Sequence, residues 1–214
     1  MPLHTLVQLD SNTAYLLWKI EESVQELCEL VILNSKEQQE YAHITHVKKQ
    51  KEWLAARLCL RRLLINLGYT PSPLYKNTYG QPILATYNVH ISISHCKEFA
   101  LVALSQNNPI GIDIEQSHRK LRTIQHKFLN EVETKDANSD LSKLCIYWCA
   151  KEAIYKTLGG NNISLKNSIY IYPFIGGSTK GTIWGQVAKQ LFKVQYTSLS
   201  TSANYYLAWS QGAC

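Results

Sequence analysis

Residues 110–115 read IGIDIE and place two carboxylates two positions apart in an alternating stretch. In a strand, Ile110, Ile112 and Ile114 point to one face, and Gly111, Asp113 and Glu115 to the other. At about 3.3 Å rise per residue the two acids stand roughly 6–7 Å apart at the backbone, so their side chains can converge on one cation. Gly111, lacking a side chain, leaves room beside them for something bulky. Taken alone, the hexapeptide also reads as a strand whose acidic face is solvated.

A second feature is LSKLCIYWCAKEAIYKTLGG at 141–160. At helical spacing Leu141, Leu144, Cys145, Trp148 and Tyr155 form one stripe, and Glu152 falls inside it, four residues after Trp148. A carboxylate there is costly unless paired or bound to metal. Lys151 and Lys156 flank the same face, and a Glu152–Lys156 pair at the helix edge is the alternative, stabilising by only about 0.2–0.5 kcal/mol. That pair does not explain a carboxylate beside Trp148. Two carboxylates on a strand and one on a helix are a hard-oxygen set suited to Mg²⁺, which shares its octahedron with water and substrate phosphate. The lysines then act as phosphate ligands, and the combination reads as phosphoryl-transfer chemistry.

The elements that must position these residues are legible in outline. Helical periodicity runs over 21–33, over 45–67 with a stop at Gly68, and over 141–158 with a stop at Gly159-Gly160. Residues 69–82 are rich in turn formers. VHISIS, FALVALS and IGIDIE follow as three short strands with hairpin-sized connections, and predict a small antiparallel meander. Segments around 168–172, 181–187, 191–196 and 205–210 read as further strands. Helices, strands, helices and strands in that order predict an α+β fold with two similar halves. Trp53, Trp148, Trp184 and Trp209 fall on apolar faces and read as core.

With 214 residues, 45% of them hydrophobic, the chain has ample apolar side chain for such cores. No apolar run reaches the roughly 18 residues of a membrane span, and the first twenty lack a secretory pattern, so the expectation is a cytoplasmic protein without a membrane partner. The six cysteines form no CxxC pair and read as reduced thiols. A net charge of +6 favours an anionic partner, which charge alone leaves open among nucleic acid, an acidic protein and a phosphorylated small molecule.

GIDIE and WCAKEAIYK together, with YGQP and ISISHC upstream in the same order, resemble the four motifs of 4′-phosphopantetheinyl transferases, over roughly Lys48 to Gly160. The length resembles the single-chain type with two pseudo-symmetric α+β lobes, each a small antiparallel sheet packed with a long helix. The resemblance implies an amino-terminal lobe, 1–105, and a carboxyl-terminal lobe, 106–214, that carries the metal ligands, as one compact pseudo-dimeric unit and a monomer. It implies transfer of phosphopantetheine from coenzyme A to a serine of an apo acyl- or peptidyl-carrier protein, with 3′,5′-ADP released. Asp113, Glu115 and Glu152 would hold Mg²⁺. Lys156 would contact a phosphate, and Ser94 and His95 would bind the nucleotide end of coenzyme A. Lys151 would orient or deprotonate the serine, with Glu152 and a metal-bound water as alternatives for the base.

Two departures from the family pattern stand out. Gln81 replaces a lysine, so Lys76, or Lys48 and its neighbours, would have to compensate, and Cys96 and Cys149 replace serines. Lys48 and Arg57 on the long helix would face coenzyme A, or else lie on a solvated helix face. Glu133, downstream of Phe128, lies where the family carries an acidic residue linked to catalysis. A rival reading is a metal-dependent phosphatase or nuclease using the same carboxylates. A nucleic-acid-binding module is disfavoured by the absence of helix-turn-helix, zinc or aromatic strand signatures.

Overall fold

The chain, taken from a computed structural model that describes residues 4–118, 120–160, 163–199 and 204–212, begins with a hairpin set by its turn chemistry. β1 (His4–Asp10) and β2 (Thr13–Lys19) are antiparallel. The Asp10 carboxylate accepts from Asn12 N at 2.8 Å and closes the turn. Two short helices follow, α1 (Val24–Leu30) and α2 (Ser35–Ala42). Ser23 with Glu26 and Asn34 with Glu37 form reciprocal capping boxes. Neither the hairpin nor α2 was expected from apolar periodicity, because β1 is largely exposed and the mean hydropathy of α2 is low.

α3 (Val47–Asn66) is the expected long helix, and it stops ahead of Gly68, which takes φ +81°. A small ladder of β3 (Leu74–Lys76) and β4 (Pro82–Leu84) lies in the stretch read as turns. Then come β5 (His90–His95) and β6 (Phe99–Ser105). Residues Met1–Asn107 form one compact unit. Its four-stranded sheet has the order β1-β2-β6-β5. Leu54, Leu58, Cys59 and Leu63 of α3 share a core with Leu16, Trp18, Ala100 and Val102 of the sheet.

Residues Asn108–Cys214 form the second unit. It contains β7 (Ile110–Gln116), α4 (Lys120–Ile124), α5 (Glu131–Ala137), α6 (Leu141–Thr157), β8 (Ile169–Ile171), β9 (Lys180–Val187), β10 (Gln190–Leu199) and β11 (Tyr205–Gln211). The five strands are antiparallel in the order β7-β11-β10-β9-β8. α6 packs against β7 and β11 around Leu144, Cys149, Ile154, Tyr206 and Ala208. Each unit is therefore an antiparallel sheet with one long helix on it, which makes the chain α+β in both halves.

Two expectations are corrected here. β7 does not complete a meander with β5 and β6: both edges of β6 are already taken, by β2 and β5, and β7 pairs with β11 about ninety residues later. Trp184 is not core; it is 43% exposed.

Gly111 also has a different neighbour from the one expected. A Cβ there would run into Ala153 O and lie 2.6 Å from Thr157 N, so the bulky group beside the carboxylates is the backbone of α6. Gly111→Ala is expected to push α6 off β7 and to lower stability by about 2 kcal/mol or more. Thermal melts of the variant check this, and an unchanged melting temperature would mean that the helix has slack.

Candidate active site

The face of β7 that carries Gly111, Asp113 and Glu115 is the face covered by α6, because Gly111 abuts Ala153 and Thr157 of that helix. Asp113 is 3% exposed, while Glu115 and Glu152 are partly exposed. Lys156, on the last turn of α6, donates from Nζ to Asp113 Oδ1 at 2.6 Å and to Ile112 O at 3.0 Å. Trp148, read from sequence as core, donates a hydrogen bond to the Glu115 carboxylate, and the indole N–H is its only donor. Its spacing of four from Glu152 was the signal for that placement.

The carboxylates repel one another. Burial first, and then the charge of Asp113, push both Glu115 and Glu152 up to about 7; Lys156 opposes this at both, and Glu152 adds to it at Glu115. A carboxyl whose pKa is higher folded than unfolded, where it is about 4.3, stabilises the fold fully below that unfolded value. That contribution is lost as pH rises through the folded value of about 7. Glu115→Gln removes the repulsion and can still accept from Trp148. In buffer with chelator it is expected to melt higher than the unsubstituted protein at pH 8, by about 1–2 kcal/mol of stability, with the gap closing by about pH 5. A gap independent of pH would show that charge is not its source.

Among the described residues no three His, Cys, Asp or Glu side chains are already gathered as a metal-ligand set. The donors nevertheless suit a hard divalent cation: Asp113 holds the Lys156 ammonium, and its negative charge adds to burial in raising Glu115 and Glu152.

Lys151 makes its contacts away from this group. Its ammonium is fully buried and donates to Glu133 Oε2 at 2.7 Å, Leu165 O at 2.8 Å and Ile169 O at 2.6 Å. An ammonium has three donors and no lone pair, so none remains to orient a serine or take its proton. Glu133 is equally engaged: Oε2 also accepts from Asn130 N at 2.9 Å, and Oε1 from Ile171 N at 2.8 Å. The pair ties α5, α6 and β8 together.

Apart from Lys156, the expected coenzyme A residues lie in the first unit. Arg57 is enclosed: its guanidinium stacks on Trp53 and lies 3.5 Å from both Glu37 and Glu40, with only 11% of the side chain exposed. Burial lowers its pKa to about 10 against the pull of those two acids. Two carboxylates and a ring hold it within α2–α3 packing. Lys76 is exposed and 3.9 Å from Glu40. Glu52, absent from the sequence reading, lies 3.7 Å from Lys48 Nζ and 3.5 Å from His95 Nδ1, and so joins two of the expected residues. Its spacing of four from Lys48 on α3 was the available signal.

Ser94 is buried on β5. Gln81 closes the β3–β4 turn, its Oε1 accepting from Asn77 Nδ2 at 2.7 Å. Cys149 is fully buried, and its thiol donates to Tyr206 O at 3.4 Å; burial raises its pKa. The small side chain is what the packing requires there.

The chain belongs to the 4′-phosphopantetheinyl transferase superfamily: residues 109–209 match the family of that name, and residues 37–105 match the 4′-phosphopantetheinyl transferase N-terminal domain. It is similar to the 4′-phosphopantetheinyl transferase gsp of Aneurinibacillus migulanus, 30% identical over 65% of this chain and 61% of that one. It is also similar to the 4′-phosphopantetheinyl transferase Npt of Nocardia iowensis, 31% identical over 51% of each chain. A third relative is the L-aminoadipate-semialdehyde dehydrogenase-phosphopantetheinyl transferase of Rattus norvegicus, 26% identical over 59% of this chain and 48% of that one. The matched segments thus span about half to three-fifths of these relatives' own lengths. No helix among the described residues is long and apolar enough to cross a membrane.

Proposed function

We propose that this protein transfers 4′-phosphopantetheine from coenzyme A to a serine of an apo acyl- or peptidyl-carrier protein, acting as a Mg²⁺-dependent monomer in the cytoplasm. The observation that carries the reading is the Asp113–Glu115–Glu152 group around Lys156, in a chain matched to this family over both of its units. Asp113, Glu115 and Glu152 hold Mg²⁺, which when bound neutralises charge on the pyrophosphate of coenzyme A. The carboxyl-terminal lobe (106–214) thus carries the chemistry. The amino-terminal lobe (1–105) grips the nucleotide end through Lys48, Lys76, Ser94 and His95.

The serine hydroxyl attacks the β-phosphorus of coenzyme A and forms a P–O bond. The bond from that phosphorus to the bridging oxygen breaks, and 3′,5′-ADP leaves with the oxygen. Lys156 follows the negative charge on the phosphates, and Glu152 takes the hydroxyl proton on a carboxylate oxygen, Lys151 having none to accept it. The basic surface steers an acidic carrier protein toward the enzyme.

The test is intact mass of an apo carrier protein incubated with enzyme, coenzyme A and Mg²⁺. A gain of about 340 Da, one phosphopantetheine, is expected, and none when the metal is chelated. No gain with acyl- and peptidyl-carrier substrates, with free phosphate released instead, would favour hydrolysis over transfer.

A further inference from the structure

We infer that Lys156 is a built-in competitor of the divalent cation: in the free enzyme its ammonium occupies the Asp113 carboxylate, and coenzyme A frees that carboxylate by drawing the ammonium onto its phosphates. The inference rests on the transferase reading above. Lys156 Nζ is held by two acceptors on one strand, Asp113 Oδ1 at 2.6 Å and Ile112 O at 3.0 Å. Charge-assisted bonds this short are among the stronger ones a side chain makes.

The two partners differ in their freedom. The Lys156 side chain is 24% exposed and that of Asp113 is 5% exposed, so the ammonium has a path outward on a flexible stem while the carboxylate stays inside. A bare divalent ion must compete with that ammonium for Asp113 Oδ1 and against its positive charge. A pyrophosphate supplies new acceptors for it, so ion and coenzyme A load more readily together than apart. Linkage makes the effect reciprocal: whatever factor coenzyme A adds to metal affinity, the metal adds to coenzyme A affinity. Such an arrangement keeps the free enzyme from collecting metal unproductively.

The experiment is Mn²⁺ titration of the full chain at pH 8, followed by electron paramagnetic resonance, with and without coenzyme A, for the unsubstituted protein and Lys156→Met. Without coenzyme A the variant is expected to bind Mn²⁺ roughly 10-fold or more tightly than the unsubstituted protein, and the gain in affinity produced by coenzyme A is expected to shrink by a similar factor. Equal or weaker Mn²⁺ binding by the folded variant alone, or an undiminished coenzyme A effect, would overturn the inference.

The unsubstituted chain supplies an independent measurement that does not need the variant to fold. Amine-reactive labelling of Lys156, read by peptide mass, is expected to rise several-fold on saturation with Mn²⁺ alone; unchanged labelling counts against displacement. Failure of the transferase reading shows separately, as an unsubstituted protein that binds no coenzyme A and adds no mass to a carrier.

Discussion

Asp113→Ala is expected to lower phosphopantetheine transfer by at least about 10³-fold in kcat/KM, on the scale seen when a group that stabilises transition-state charge is removed. Asp113 is the most deeply buried of the three carboxylates, it raises the pKa of both others, and it holds the Lys156 ammonium. Removing it subtracts an oxygen ligand from the proposed metal set and releases Lys156 from β7. The remaining acids repel less, so Glu115 and Glu152 should ionise at lower pH in the variant, and the fold should survive. The check is initial rates of carrier modification beside a thermal melt. A folded variant retaining a tenth or more of the rate would remove Asp113 from the proposed chemistry.

Lys151→Met has the largest expected effect on stability. Lys151 and Glu133 are both fully buried. Taking away the cation leaves a buried carboxylate without its counter-ion, and leaves the carbonyls of Leu165 and Ile169 without a donor. Breaking a buried pair in this way costs about 3–5 kcal/mol, which for a chain of this length lowers the melting temperature by on the order of 10 °C.

Replacing both partners by neutral groups is far less costly than breaking the pair. Lys151→Met combined with Glu133→Gln is therefore expected to regain part of the loss, since the buried charge is gone and the amide oxygen can still accept from Ile171 N, while the bond that Oε2 accepts from Asn130 N is given up. Below its melting temperature the single variant should transfer within about tenfold of the normal rate. A loss of about a thousandfold in the folded variant would return Lys151 to the group that acts on serine.

Both expectations concern residues that the sequence singles out, and their fates divide what was legible from what was not. The periodicities of α3, α6, β5, β6 and β7 were readable because each is a local property, of period 3.6 or 2, and the two helices are bounded by glycines at 68 and at 159–160. The carboxylates of Asp113, Glu115 and Glu152 were readable for the same reason: alternation put two on one face of a strand, and helical spacing put the third inside an apolar stripe. The β1–β2 hairpin and α2 were missed because one strand is exposed and the helix is polar, which leaves little pattern to read.

Sequence alone thus determined which acids share a face and the elements that carry them, since both follow from residue type and short-range spacing. Tertiary structure alone decided which partner each charge took. Lys151 and Lys156 are five positions apart on one helix, yet one spends its protons on Glu133 and two backbone carbonyls while the other holds Asp113. Arg57 and Lys48 share α3, yet one is enclosed by Glu37, Glu40 and Trp53 while the other stays largely exposed beside Glu52. β7 left its sequence neighbours for β11 because the ladder edges of β6 were occupied. In each case the deciding group lies on another element, and its distance depends on packing across the chain, which no local spacing encodes.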